Sequence, residues 1–100
     1  MILKIKSKVW KWKTEREGGG AWHFATLDQE SAAVVKKGQE GKKRIGWGSV
    51  PVVATVGQTS WKTSIFPDSR SGSYLLPLKA SVRKKEGFGA GDTISISLQL

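Results

Sequence analysis

Residues 93–100 read Thr-Ile-Ser-Ile-Ser-Leu-Gln-Leu, an alternation without a fault. Ile94, Ile96, Leu98 and Leu100 share one parity, while Thr93, Ser95, Ser97 and Gln99 share the other. Successive strand side chains point to opposite faces, so this spacing gathers its apolar row on one side only in a half-buried β-strand. The opposite end of the chain carries the same signature. Leu3, Ile5 and Val9 fall on one parity with Ser7 between them, and Lys4, Lys6 and Lys8 fall on the other. A chain framed in this way is expected to be mainly β.

The first strand is expected to run over residues 2–13, but Trp10 and Trp12 lie on the lysine parity. A bulge at Val9–Trp10 would carry both tryptophans inward. Without it they form an exposed binding surface, which is costly unless it is used. Gly18-Gly19-Gly20 marks a turn, and residues 21–27 return as a second strand with Trp22 and Phe24 on one face and His23 and Ala25 on the other. Asp28 is placed to cap a short helix through Lys37, with Lys36 and Lys37 in its last turn and Gly38 as a left-handed stop.

Residues 46–56 read as a strand whose Pro51 demands an open edge, a bulge or a break. Residues 60–66 form the next strand, with Trp61, Thr63 and Ile65 on one face and Pro67 as its end. The loop over residues 68–73 has turn chemistry throughout. A short strand follows at residues 74–76. Pro77 then pre-sets a helix from about Leu78 or Lys79 to Glu86, and a glycine-rich connector leads to the last strand. The spacing from Leu27-Asp28 to Gly38 echoes that from Leu76-Pro77 to Gly87, which would place one helix at each end of a barrel.

The 100 residues suffice for one domain with one core, spanning residues 1–100. With 38% hydrophobic residues and five tryptophans the chain is too apolar for a disordered protein. There is no cysteine, so a disulfide framework and a thiolate zinc site are excluded. Lysine at every second position from Lys4 to Lys8 interrupts any signal-peptide core, and no run is long enough to span a membrane. The expected setting is cytoplasmic, away from the membrane. The formal charge of +9 implies attraction to polyanions.

An enzyme needs titratable groups that converge. One histidine and eight carboxylates are present, mostly beside glycines or lysines. Asp28 reads as a cap, Asp92 as a turn residue and His23 as a hydrogen-bonded strand residue. No metal-ligand spacing is present, and the glycine-rich segments lack the lysine and hydroxyl of a phosphate loop. The expectation is therefore a binding module with no catalytic residues, metal or cofactor.

Two sets of residues are candidates for binding. Trp61, Thr63, Ser64, Asp68, Arg70 and Tyr74 combine aromatic walls with polar groups suited to a small-ligand pocket, although hydroxyls in strands also serve cross-strand bonding. Lys4, Lys6, Lys8, Lys79, Arg83 and Lys84 are the candidates for a polyanion, foremost nucleic acid. Lys36, Lys37, Lys42, Lys43 and Arg44 form a third basic group. Lysine outnumbers arginine by 13 to 4, which suits backbone contact rather than bidentate base reading. A protein-docking patch around Trp10, Trp12 and Trp47 is a further option.

Trp22-His23-Phe24, the strand at residues 50–57, and the block from Thr59-Ser60-Trp61 to Ser81-Val82-Arg83 resemble a bacterial family known only as domain of unknown function 1905. Asp28 departs from the proline that the family usually carries at that helix start. The resemblance implies a small double-split β-barrel of about six strands capped by two short α-helices. Its second half is similar to the swapped-hairpin transition-state regulators and antitoxins, which bind DNA as interleaved dimers. Monomer and dimer both remain open for this chain, and the resemblance supplies no function.

Overall fold

The computed structural model describes residues 2–12, 22–39 and 48–100. Among these residues are seven strands: β1 (Ile2–Lys8), β2 (Trp10–Trp12), β3 (Trp22–Thr26), β4 (Val50–Val56), β5 (Thr59–Asp68), β6 (Ser73–Pro77) and β7 (Thr93–Gln99). Two helices, α1 (Gln29–Gly38) and α2 (Ala80–Glu86), join them. All pairings are antiparallel, in the order β1-β7-β4-β5-β6-β3-β2.

The two ends of that order, β1 and β2, are separated in sequence by Val9 alone. The sheet therefore curls strongly into a half-barrel, with residues 2–12 pairing with β7 at one end and β3 at the other. Val9 keeps the strand tied as it passes, since its N–H donates to the Asp92 carbonyl at 2.8 Å and its carbonyl accepts from the Gly91 N–H at 2.8 Å. β5 is shared in the same way. It pairs with β4 up to Ile65 and with β6 from Phe66 onward. Counting residues 2–12 as one bent strand gives the six that the sequence leads one to expect.

The alternation runs through Val9 with no change of phase. Val9 is buried with Ile5, while Trp10 is half-buried and Trp12 exposed on the outward parity of Lys4, Lys6 and Lys8. The expected inward bulge is thus absent, because Val9 already supplies the inward side chain. Ile94, Ile96 and Leu98 are buried, whereas Leu100 lies past the last ladder pair and is partly exposed.

Prolines and glycines shift three expected boundaries. Pro67 continues β5 opposite Tyr74, where the strand has β6 as its ladder partner. Pro77 ends β6, and the chain stays extended because the Leu78 N–H donates to the His23 carbonyl at 2.9 Å, so α2 begins only after Lys79. Gly38 stays within α1, and the helix is closed by Gln39 in a right-handed conformation. Gly87, with φ 69°, is the left-handed stop of α2. Pro51 lies where β4 pairs with β5 but not with β7, leaving the open edge that a strand proline requires. The outer parts of the first three expected strands, at residues 13, 21 and 46–47, lie outside the described residues.

Asp28 caps α1 as expected, its carboxylate accepting from the Ser31 N–H at 2.6 Å. The inward rows of every strand except β2 meet Leu27, Ala32 and Val35 near α1 and Leu78 and Val82 near α2 in one core. Ser73, 1% exposed, is the polar member of that interior and donates to the Leu27 carbonyl at 2.7 Å.

Leu98→Ala should cost about 2–5 kcal/mol by opening a cavity. Ser73→Ala should cost about 1–3 kcal/mol by leaving a buried carbonyl without its hydroxyl donor. Urea unfolding at neutral pH measures both.

Candidate functional site

A cleft of about 410 Å³ opens between β3, β5 and the start of α2. Its walls are Trp22 and Trp61, with Pro77, Leu78 and Ala80. Its polar groups are His23, Thr63, Lys79 and Arg83. The strand period places them there. Trp61, Thr63 and Ile65 share one face of β5, and His23 shares the inward parity of the fully buried Ala25. Lys79 and Arg83 are four residues apart, so both lie on one side of α2 and its cap.

The helix is pinned at its far end. Gly57 turns the β4–β5 hairpin with φ 59°, and a Cβ there would collide with the Glu86 carboxylate. That carboxylate accepts from the Thr59 hydroxyl at 2.6 Å. The contact fixes α2 against β5 and so sets the width of the cleft.

Arg83 is braced from two sides. Its Nε donates to the Leu78 carbonyl at 3.1 Å, and Nη1 lies 3.4 Å from His23 Nε2. For the guanidinium to donate here, Nε2 must be the unprotonated nitrogen of the imidazole. Among the described residues no carboxylate lines the cleft, and the one ion pair is Arg70–Asp68. The cleft thus presents two cationic side chains, a hydroxyl and an imidazole between apolar walls. Among the described residues no three His, Asp or Glu side chains gather as metal ligands.

The structure draws the two sequence-derived sets together and splits each of them. Trp61 and Thr63 from the small-ligand set meet Lys79 and Arg83 from the basic set. Ser64 lies on the other face of β5, paired with Pro51. Tyr74 is buried in the core. Lys4, Lys6 and Lys8 line the outer face of β1, and Lys84 is exposed on α2. Lys42, Lys43, Arg44 and Trp47 lie outside the described residues.

Asp68 and Arg70 belong to the turn between β5 and β6. Asp68 accepts from the Ser71 hydroxyl at 2.9 Å and the Arg70 N–H at 3.3 Å. Lys36 and Gln29 of α1 donate to the carbonyls of Gly72 and Ser71 at 2.8 and 3.0 Å. The turn is accounted for as an anchor for α1. The Ser71 hydroxyl, the neighbouring amides and the Arg70 charge hold the Asp68 carboxyl below its ordinary value, against a smaller opposing effect of desolvation.

Trp22 and His23 were not among the sequence-derived site residues. Their flanking strand parity was visible, but their proximity to Arg83 depends on β3 pairing with β6, which the sequence does not number.

Residues 6–98 match the family described as Domain of unknown function (DUF1905). The chain belongs to this family. The matched span of the DUF1905 domain contains every residue that lines the cleft. No curated protein matches the chain. Among the described residues no helix is long and apolar enough to cross a membrane.

The Asp68 carboxyl should titrate below 3.8, and Ser71→Ala should move its midpoint upward toward that value in a carboxyl-carbon NMR titration. Because the folded-state value is depressed, the turn's contribution is present above 3.8 and is lost as pH falls through the lowered midpoint.

Proposed function

We propose that this DUF1905 domain is a non-catalytic binding module whose cleft takes a small molecule with a flat apolar body and an anionic group. The observation that carries the reading is the convergence of Arg83 and Lys79 on a tryptophan-walled cleft that no carboxylate of the described residues lines. Its volume of about 410 Å³ fits one small ligand. Cations left without a carboxylate partner attract an anion, and the aromatic walls reward burying its apolar part.

The same features argue for holding rather than transforming a ligand. His23 Nε2 faces the Arg83 guanidinium at 3.4 Å, which places the imidazole beside the cation that would hold the ligand. Braced by the Leu78 carbonyl, Arg83 is preorganised to donate its remaining N–H groups. One chain supplies all of these groups, so the reading does not require a dimer.

Benzoate and phenyl phosphate serve as probes, with neutral benzyl alcohol as the control. Both anions should raise the unfolding temperature and change tryptophan fluorescence, and the alcohol should do neither. Arg83→Met keeps the packing of the side chain and should weaken binding of the anions about ten- to a hundredfold. Equal binding of the alcohol, or unchanged affinity in a folded Arg83→Met variant, would overturn the reading.

A further inference from the structure

A second surface lies on the outside of the sheet. Lys4, Lys6, Lys8, Trp10 and Trp12 all take the outward parity of residues 2–12. The lysines are flanked across the ladder by hydroxyls, with Lys4 opposite Ser97, Lys6 opposite Ser95 and Lys8 opposite Thr93. The hydroxyl surface continues through Thr55 and Ser60, whose side chains hydrogen-bond at 2.7 Å, and Lys62 follows on β5. None of these outward positions on β1, β7, β4 and β5 up to Ser64 carries a carboxylate. A shallow groove of about 470 Å³ runs between Lys4, Lys6, Thr55, Ser95 and Ser97.

At Val9 this basic track gives way to aromatics on the same strand. Trp10 is anchored by its Nε1–H to the Thr26 hydroxyl at 2.9 Å, and its ring lies 5.1 Å from that of Phe24. Trp12 pairs with Trp22 across the ladder, and the Trp22 ring is stacked on Phe24 at 6.4 Å and 10°. Trp12 and Trp22 are 54% and 58% exposed. Two large rings are therefore presented to solvent from a rigid two-stranded base.

We propose that the outward face of residues 4–12, with Trp22 beside it, binds single-stranded nucleic acid. The lysines track the phosphates and the tryptophans stack on bases. Alternate residues of a strand are about 7 Å apart, a repeat of the same order as successive phosphates along an extended single strand. Lysine rather than arginine on this face suits backbone contact rather than bidentate base reading. Stacking platforms favour unpaired bases, because a duplex keeps base faces covered. This surface shares Trp22 with the cleft but none of its cationic side chains, and it is argued without the cleft reading.

The test titrates fluorescently labelled oligo-dT and oligo-U into the whole chain, with duplex DNA and phosphatidylserine vesicles as competitors. Binding should quench tryptophan fluorescence. Lys4→Gln, Lys6→Gln and Lys8→Gln together should flatten the log–log salt slope by about two units, at about 0.7 per phosphate contact on a single strand. Trp12→Ala should weaken binding about five- to a hundredfold and remove part of the quenching, while Trp12→Phe retains most of both. The dT and U arms decide whether DNA or RNA is preferred, and binding of either supports the proposal. It is overturned if the triple lysine variant binds as the parent does. It is equally overturned if duplex or vesicles compete as well as single strands, or if neither oligonucleotide binds near 50 mM salt.

Discussion

The backbone pairing of residues 2–12 on two sides governs the rest of this molecule. One strand gives its first seven residues to β7 and three of its last to β3, with Val9 bonded to the Gly91–Asp92 turn between them. A flat sheet could not satisfy both ladders, because β1 and β2 stand at opposite ends of the strand order. Strand hydrogen bonds are directional, and leaving buried backbone groups unpaired is costly. Curling is the way to keep both edges paired. β5 repeats the device on the other side by passing from β4 to β6 after Ile65.

Curling separates an inside from an outside, and the two surfaces have different chemistry. The inside is filled by the aliphatic rows, Trp61 and Tyr74. Where α2 meets β3 and β5, this filling stops short and leaves the cleft. The outside of one half is lysine and hydroxyl, and beside Val9 it becomes tryptophan and phenylalanine. Both surfaces offer cations with aromatic neighbours, but at different scales. The cleft, about 410 Å³ in volume, is of a size for one small anion. The outer face is open and linear, matched to an extended chain.

Strand identity was highly legible because a period of two survives any tertiary arrangement. The rows of β1, β4 and β7 show it most clearly. Capping by Asp28 and stopping at Gly87 were also readable, since both depend on chemistry within one helix turn. The misplaced boundaries fall at Gly38, Pro67 and Pro77. At Pro67 and Pro77 a local preference yields to pairing with a distant segment, such as the bond from Leu78 to the His23 carbonyl. At Gly38, by contrast, the helix runs on through the local bonds of the Gln39 N–H to the Val35 and Lys36 carbonyls. Residues 57–79 hold five of the cleft residues, Trp61, Thr63, Pro77, Leu78 and Lys79, but the loop at residues 68–73 is an anchor for α1.

By itself the sequence determined which residues face the same way, where chain reversals lie and that the protein carries a large positive charge. Those properties follow from side-chain alternation, turn chemistry and composition, none of which needs a distant partner. Tertiary structure alone decided that Trp10 and Trp12 point outward, since inward placement depended on whether Val9 or a bulge filled the interior. It also decided that His23 and Arg83, 60 positions apart, share one cleft. Contacts between distant segments depend on strand order, and strand order here follows from closing a ladder on both edges of one strand.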